Sequence, residues 1–327
     1  MSINKTTKTI LVSGASGIVG YGILKSLRSS GNDYKLIGTT IYEDSVANAF
    51  CDVFEKAPPT DSPEYIPWLV EVIEKHEVDL IIPSIEADVF VWSKNIKKLQ
   101  ATDCVVLLNN TDLINLCRDK WLFYKELERY QSEYAIPTGL EFDETKHIFP
   151  FLLKPRRGSA SQGIVVVNDS IAFEQYKQDL GSRLMLQPII GSADEEYTVS
   201  AFFDKESKLC AHITLKRKLS KNGFTESAQT ISIESVEPAL IQLAKIFRPI
   251  GATNFQFRVQ DGQLKLLEIN PRISSATSIR AAFGYNESAM SVEYFLDGKE
   301  PAQPSIRSGY AVRYTEDMIF YNDSDNI

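Results

Sequence analysis

The order of hydrophobic and polar positions divides the first hundred residues into alternating strands and helices. A strand, a glycine turn and a helix are predicted within TILVSGASGIVGYGILKSL (9–27). Further strands are predicted at 35–40, 79–84 and 104–109, and helical periodicity occurs at 64–76 and 86–98. Because strands that alternate with helices form a parallel sheet with right-handed crossovers, this pattern predicts a Rossmann-like α/β unit.

The glycine turn in this unit has two interpretations. Gly14, Gly17 and Gly20 allow a tight turn and a close approach of strand and helix. GASGIVG also matches the cofactor loop of NAD-dependent sugar-nucleotide epimerases and dehydrogenases. Those enzymes need a Tyr-x-x-x-Lys pair late in the chain, whereas Tyr21 and Lys25 directly follow the turn. A purely structural turn is therefore favoured, because a lone glycine-rich turn is a weak signal.

A second glycine-rich segment, FLLKPRRGSASQGIVVV (151–167), has the composition of a phosphate-binding loop between two strands. The first strand delivers Lys154, and small residues follow, among them Gly158, Ser159, Ser161 and Gly163. Small residues let backbone N–H groups approach phosphate oxygens, and a lysine neutralises their charge. The alternative is a plain β-hairpin with a polar tip.

The segment LMLQPIIGSADEEYTVSAFF (184–203) is predicted to hold the base and the sugar of a nucleotide. A strand ends at Gln187 and Pro188, a turn follows, and Glu196 begins the next strand. Backbone groups can bind adenine there, through the carbonyl of Pro188 and the N–H of Ile190. Glu196 is a candidate acceptor for ribose hydroxyls, although a single acid at the start of a strand is usually only solvated.

The strongest cluster of polar residues lies in ATNFQFRVQDGQLKLLEINPRISS (252–275), which is predicted to be a hairpin with its turn at 260–263. Gln256 lies on its first strand, and Glu268 and Asn270 lie on its second. Residues i and i+2 share one face of a strand, so Glu268 and Asn270 point the same way. Carboxylate and amide oxygens suit Mg²⁺ shared with nucleotide phosphates. Arg272 extends this set into the next loop.

Composition and net charge further restrict the class of protein and the partners that it can bind. The 327 residues are 43% hydrophobic and 24% charged, which is typical of a soluble globular protein of two or three domains. A net charge of −8 argues against general binding to nucleic acid or to anionic membranes. No apolar run reaches a membrane span, and the first residues lack a secretory signal pattern. The four cysteines form no zinc or CxxC pattern, so a reduced cytoplasm is expected.

Taken in order, these segments resemble the ATP-grasp superfamily, in particular its carbamoyl-phosphate-synthetase-like single-chain members. The motifs KPRxGSxSxG, EYTV and LEINPR carry the likeness, which runs along nearly the whole chain. The resemblance implies a Rossmann-like pre-ATP-grasp domain (1–112), a small α+β lid subdomain (113–190) and a C-terminal α+β subdomain with the metal site (191–327).

The resemblance also implies a role for individual residues. Lys120, in CRDKWLFYKEL (117–127), would reach the nucleotide together with Lys154, and QPII with EEYTV would form the adenine hinge and the ribose acid. The longer turn GSADEE leaves Glu195 as an alternative to Glu196. In HITLKRKL (212–219), Arg217 is the better-spaced contact to the γ-phosphate or acyl phosphate, and Lys216 is the fallback.

The metal strands of the resemblance are NFQF and LEINPR. They imply Gln256, Glu268 and Asn270 as ligands of Mg²⁺ or Mn²⁺, with Arg272 beside them. An amide at the first position, Gln256, is found in carbamoyl-phosphate synthetases, whereas many peptide-forming relatives have an acid there.

The activity that the resemblance implies is an ATP-dependent ligase. A carboxylate would attack the γ-phosphate of MgATP with Lys154, Arg217 and Arg272 as catalytic residues, and an amine would then attack the acyl phosphate. Carbamoyl-phosphate-synthase-type phosphorylation of a small carboxylate is an alternative, but KPRRGSASQG and LEINPR each occur once. A regulator without catalysis is a third alternative.

The substrates are small molecules, and the residues that select them are the least legible part of the sequence. Candidates are Glu86 in IPSIEAD, Ser274 and Arg280. A guanidinium group suits a planar oxyanion, so Arg280 is expected to help Arg272 hold a carboxylate or an acyl phosphate. Dimerisation is common among the relatives, which makes a homodimer an expectation here.

Overall fold

The computed structural model describes residues 7–158, 162–220 and 223–320. Within these ranges the strands form three sheets, of five, three and six strands. The predicted mixed α/β class is therefore confirmed. In the same ranges, no helix combines the length and apolar character that a bilayer crossing requires.

The first part of the chain forms a parallel sheet with helices between its strands. In chain order its elements are β1 (Lys8–Val12), α1 (Ile18–Arg28), β2 (Tyr34–Thr40), β3 (Val53–Lys56), α2 (Tyr65–His76), β4 (Leu80–Ile82), α3 (Glu86–Lys94), α4 (Ile96–Gln100) and β5 (Val105–Val106). The strand order is β3-β2-β1-β4-β5, and all neighbouring pairs are parallel. β3 carries no clear sequence signal, because four residues are too few to show an alternation.

The helix predicted at 86–98 is divided into α3 and α4 at Asn95. The Asn95 side chain donates a hydrogen bond to the Val91 carbonyl at 2.9 Å, and its backbone N–H bonds the carbonyls of Val91 and Trp92. Asparagine competes in this way with the backbone pattern of a continuing helix. The break is local, so α3 still presents its first residue, Glu86, at the carboxyl end of β4.

The rest of the chain supplies the other two sheets. Its elements are α5 (Thr111–Cys117), α6 (Lys120–Arg129), β6 (Phe151–Pro155), β7 (Val165–Val167), α7 (Ser170–Glu174), β8 (Leu184–Pro188), β9 (Glu196–Phe203), β10 (Leu209–Leu219), β11 (Thr225–Thr230), α8 (Val236–Phe247), β12 (Gly251–Gln260), β13 (Gln263–Asn270), α9 (Thr277–Ala282), α10 (Glu287–Asp297) and β14 (Tyr310–Val312). The small antiparallel sheet has the order β7-β6-β8, and the large one has the order β13-β12-β9-β10-β11-β14.

The large sheet has two faces of different character. One face is apolar: Val199 and Phe203 of β9 and Phe255 and Phe257 of β12 pack in one core with the buried side of α8. The opposite face is apolar at one end only, where Phe202 joins the core that α1, α9 and α10 share with the parallel sheet. Its other end is polar and carries the candidate site.

The glycine turn before α1 allows close packing of this helix against β1. Gly14 has a φ of +58°, which favours glycine, and a Cβ on Gly20 would lie 2.4 Å from the Gly14 carbonyl oxygen. Glycine at both positions lets α1 lie against the end of β1. The close approach expected from the sequence is thus present.

Replacing Gly20 by alanine is expected to destabilise the fold by about 1–3 kcal/mol, because the new methyl group meets backbone atoms that cannot move aside. The matched control is Gly22→Ala in the same helix, where the nearest atom to the new methyl would be the Thr277 Cγ2 at 3.1 Å. Urea unfolding of both variants provides the comparison. Equal stabilities would contradict the packing role of Gly20.

Candidate active site

Polar side chains cross the large sheet because its strands pair in a fixed register. Gln256 on β12 is opposite Glu268 on β13, and on its other side it is opposite Thr198 on β9. Arg258 is likewise opposite Glu196. Directly paired residues lie on the same face of an antiparallel sheet, so these side chains form one polar surface.

Glu268 and Asn270 point the same way, as their spacing predicts. The Asn270 side-chain N–H donates to Glu268 Oε1 at 3.2 Å, and both side chains are half-buried. Gln256 completes the group, and its Oε1 accepts a hydrogen bond from Arg217 at 2.7 Å. A carboxylate and amide oxygens are hard donors that fit Mg²⁺. Among the described residues no group of three or more His, Cys, Asp or Glu could hold a metal.

Glu196 is buried at the start of β9 between two arginines. Its Oε1 accepts from Arg217 Nε at 3.2 Å and Nη2 at 2.7 Å. Its Oε2 accepts from Arg258 Nε at 3.3 Å and Nη2 at 3.1 Å. Glu196 and Arg217 are only 5% and 7% exposed, so each buried charge depends on its partner.

Arg258 is a residue of this site that sequence reasoning missed. Besides Glu196, it bonds the Ile190 carbonyl at 3.3 Å through Nη1. The neighbouring Gly191 lies so close to β12 that a Cβ there would be 2.3 Å from the Val259 carbonyl oxygen. Arg258 therefore ties the hinge after β8 to the large sheet. A signal was available, because Arg258 lies two residues after Gln256 and so shares its face.

Lys154 lies on β6 and lines a cavity together with Gln256, Arg258 and Glu268 of the polar surface. It is 8% exposed. Burial lowers its pKa to about 8, the nearby charges of Lys120 and Arg258 act in the same direction, and Glu268 opposes them. A buried lysine that lies near other cations gains a favourable partner when an anion binds. This is the electrostatic environment of a phosphate site.

Lys120 reaches the same loop from the start of α6. Its Nζ donates to the Gly158 carbonyl, and its backbone N–H donates to the Arg156 carbonyl at 2.8 Å. Asp119 caps α6 by accepting from the Trp121 N–H at 3.0 Å, and the same carboxylate pairs with Arg156 at 2.9 Å. The pair fixes α6 to the loop after β6 and so brings the two predicted lysines together.

Two cavities meet at this polar surface. The first, of about 120 Å³, includes Lys154, Gln187, Pro188, Ile190, Glu196 and Arg258 among its lining residues. The second, of about 280 Å³, includes Glu86, Arg217, Asn270, Arg272 and Ser274. Both are lined by Lys120, Gly158, Gln256 and Glu268. The candidate metal ligands thus lie where a nucleotide cleft would open into an acceptor cavity.

Several predicted residues lie elsewhere. Lys216 is opposite Tyr197, which packs in the core on the apolar face, so of the two basic candidates on β10 only Arg217 lines a cavity of the site. Glu195 is exposed, whereas Glu196 lines the cleft. Gly163, with a φ of +73°, flanks the lining residues Gln162 and Ile164. Ser159 and Ser161 lie outside the described residues.

Arg280 is fully buried and does not line the acceptor cavity. Its Nη1 bonds Glu287 at 3.0 Å and Ser274 Oγ at 2.9 Å, and its Nη2 bonds Asn254 at 2.6 Å. Ser274 does line the cavity. The structure therefore places Arg280 behind the site, where both of its terminal nitrogens, Nη1 and Nη2, bond protein groups and Nη1 supports the lining residue Ser274.

The other two acceptor candidates face the cavity together with Arg272. Arg272 donates to the Ile273 carbonyl at 2.8 Å through Nη1, and burial lowers its pKa while Glu86 and Glu268 oppose that shift. Glu86 is half-buried at the first residue of α3. The cavity wall thus carries the acidic side chain of Glu86 and the basic side chain of Arg272.

Comparison with known proteins identifies a matching family and several relatives. The family described as ATP-grasp in the biosynthetic pathway with Ter operon matches residues 182–318. The large chain of carbamoyl phosphate synthase from Methanosarcina barkeri is 25% identical over 306 residues, covering 83% of this chain and 28% of that one. A D-alanine–D-alanine ligase from a Nitratiruptor species is 27% identical over 222 residues, covering 62% and 57%. The chain spans less than a third of the synthase.

The fold is shared with N5-carboxyaminoimidazole synthetase from Staphylococcus aureus complexed with ADP, at a TM-score of 0.73 and 16% identity, over 93% of this chain and 82% of that one. The family match, the relatives and the fold agree with the ATP-grasp resemblance that the order of the motifs indicates. ATP-grasp enzymes use ATP with Mg²⁺, and the S. aureus neighbour binds ADP, in agreement with the predicted cofactors.

Arg280→Met is expected to cost about 3–5 kcal/mol of stability, because it leaves the Glu287 carboxylate buried without its cation. The double variant Arg280→Met with Glu287→Leu removes both charges and is expected to recover most of that loss. The free energies of unfolding of both variants, of Glu287→Leu alone and of the wild type form a double-mutant cycle, and denaturant unfolding measures them. Strictly additive losses would contradict a coupled buried pair.

Proposed function

We propose that the protein is an ATP-dependent ligase that joins a carboxylate to an amine through an acyl-phosphate intermediate, releasing ADP and phosphate. The observation that carries the proposal is the junction of the two cavities at Lys120, Gly158, Gln256 and Glu268. Phosphoryl transfer needs its donor and acceptor in line at one point. A cleft on each side of a candidate metal group supplies that arrangement.

The nucleotide is proposed to lie in the first cavity. Backbone groups at Pro188 and Ile190 would bind adenine at a hinge that Arg258 and Gly191 hold against β12. Lys154 and Lys120 would bind the phosphates beside the loop that begins at Gly158. All four of these residues already line the cleft, so little reorganisation would be required.

Glu268 and Asn270, with Gln256 beside them, are proposed to hold Mg²⁺. When bound there, the metal would neutralise charge on the transferring phosphoryl group. The Arg217 guanidinium lies against Gln256 and faces the acceptor cavity, so it is placed to stabilise the same charge from the protein side. Arg272 lines that cavity and would hold the acceptor carboxylate.

The reaction then follows from these positions. A carboxylate oxygen of the acceptor forms a bond to the γ-phosphorus as the bond to ADP breaks. The amine nitrogen next attacks the acyl carbon, phosphate leaves, and the amine loses a proton. Arg217 and Arg272 would stabilise the negative charge in both steps, because a guanidinium matches planar oxyanions.

We also propose the domain organisation expected from the sequence. Residues 1–112 would form the Rossmann-like pre-ATP-grasp domain, 113–190 the lid and 191–327 the subdomain with the metal site. The parallel sheet contributes Glu86 to the acceptor cavity, which supports a substrate-binding role for the first unit. The glycine turn is used there for packing, so it gives no support to an NAD-dependent epimerase.

The ligase proposal is tested by ADP formation from MgATP and a panel of carboxylates, with hydroxylamine present to trap acyl phosphates as hydroxamates. We expect hydroxamate and ADP in equal amounts for at least one carboxylate. Glu268→Gln is expected to lower the rate by about 100-fold or more, because one charged metal ligand is lost. Glu71→Gln, an exposed position on α2, is the matched control. Near-normal turnover in Glu268→Gln would exclude the proposed metal site.

A second prediction concerns Lys154. Its pKa of about 8 means that the free protein loses this positive charge as the pH rises through 8. Phosphates bind the protonated form, so ATP affinity is expected to be level below about pH 7 and to fall up to about 10-fold per pH unit above 8. Calorimetric titration from pH 6.5 to 9.5 measures this. Lys154→Arg should remove the fall, and an unchanged slope would assign it to another group.

A further inference from the structure

The acceptor cavity combines charged and apolar walls in a small volume. It measures about 280 Å³, close to the lower limit of about 300 Å³ for ordinary ligand pockets. A cavity of this volume suits a small acceptor. The charges and polarity of the lining residues should therefore indicate the chemical groups of a small substrate.

Most charged residues of the cavity are accounted for by the proposed chemistry. Lys120 and Arg217 lie on the phosphate side, and Glu268 belongs to the metal group. Arg272 would bind the carboxylate that is phosphorylated. The remaining charge is the carboxylate of Glu86, which has no role in the transfer of a phosphoryl group.

The Glu86 side chain makes no hydrogen bond or ion pair with any residue in the described ranges. The next acid on α3, Asp88, shows the contrast: it is 1% exposed and accepts from Thr60 and Tyr65, each at 2.8 Å. Asp88 is thus satisfied within the protein, whereas Glu86 faces the cavity. Glu86 lies in the first turn of α3, where the positive end of the helix dipole favours an acidic side chain. Such a group attracts a cation from the ligand.

Glu86 lies near the residue that would hold the substrate carboxylate. Glu86 and Arg272 both line the same cavity of about 280 Å³. An ammonium group and a carboxylate of one small molecule could therefore meet Glu86 and Arg272 together.

Part of the cavity wall is apolar. It includes Ile18 and Val19 at the start of α1, Val89 and Phe90 on α3, and Phe224 before β11. The Arg118 guanidinium lies 5.3 Å from the centre of the Phe90 ring and so supports it. This wall would exclude water from a hydrocarbon side chain and bind it by the hydrophobic effect.

We propose that the carboxylate activated by this protein is an amino acid with an apolar side chain, whose ammonium group is recognised by Glu86. The inference rests on the proposed ligase function and specifies its substrate class. Glu86 selects the substrate, Arg272 holds its carboxylate, and the apolar wall receives its side chain. Glu86 takes no part in phosphoryl transfer.

The test compares pairs of acids that differ only in the amino group. With MgATP and hydroxylamine, hydroxamate formation is measured for leucine, valine and phenylalanine, and for 4-methylpentanoate, 3-methylbutanoate and 3-phenylpropanoate. We expect the wild type to favour the amino acid in each productive pair. Glu86→Gln should lower that preference about 10- to 100-fold, as loss of a charged hydrogen bond does. Glu71→Gln should leave it unchanged.

The outcomes separate this inference from the ligase proposal. Equal turnover of both members of each pair, or an unchanged preference in Glu86→Gln, would overturn the inference and leave the ligase intact. Calorimetry of amino-acid binding without turnover gives an independent readout. If no acid forms hydroxamate but amino acids bind the wild type and not Glu86→Gln, the ligase proposal fails and the recognition by Glu86 stands. Absence of both signals would overturn both.

Discussion

The Glu196 carboxylate, buried between Arg217 and Arg258, is the contact on which the arrangement of the site depends. A carboxylate at 5% exposure is costly unless its oxygens are paired, and here each oxygen accepts two N–H groups of a different arginine. This requirement fixes both guanidinium groups. Arg217 is thereby held against Gln256 at the junction of the cavities, and Arg258 is held under the hinge after β8. One buried charge thus determines positions in both halves of the candidate site.

The register of the large sheet makes that contact available. Glu196, Arg258 and Gln256 share a face because β9 and β12 pair directly, and Glu268 follows from the pairing of β12 with β13. A shift of one residue in either pairing would turn these side chains into the apolar core that α8 covers. The core on the opposite face therefore stabilises the site, since Phe255 and Phe257 can be buried only in this register.

Electrostatics and burial act together in the nucleotide cleft. Lys154 is buried near Lys120 and Arg258, which disfavours its charge, and Glu268 compensates only in part. A bound polyphosphate would relieve this imbalance, so the same desolvation that lowers the pKa of Lys154 strengthens its attraction to an anion. The Asp119–Arg156 pair holds the second lysine in place from α6. The positive charges of the cleft are thus positioned by two secondary-structure elements, β6 for Lys154 and α6 for Lys120.

The sequence by itself determined the class of fold and much of the candidate site. Glycine turns, strand alternation and the order KPRRG, EYTV and LEINPR specify local geometry, and i, i+2 spacing was sufficient to place Glu268 and Asn270 together. Only the tertiary structure decided what depends on contacts between distant segments. It put Arg217 at the site and Lys216 on the opposite face, placed Arg280 behind Ser274, brought Arg258 to the hinge, and joined α3 to the acceptor cavity. The physical reason is that burial and pairing of charged side chains depend on neighbours remote in sequence, which local periodicity does not encode.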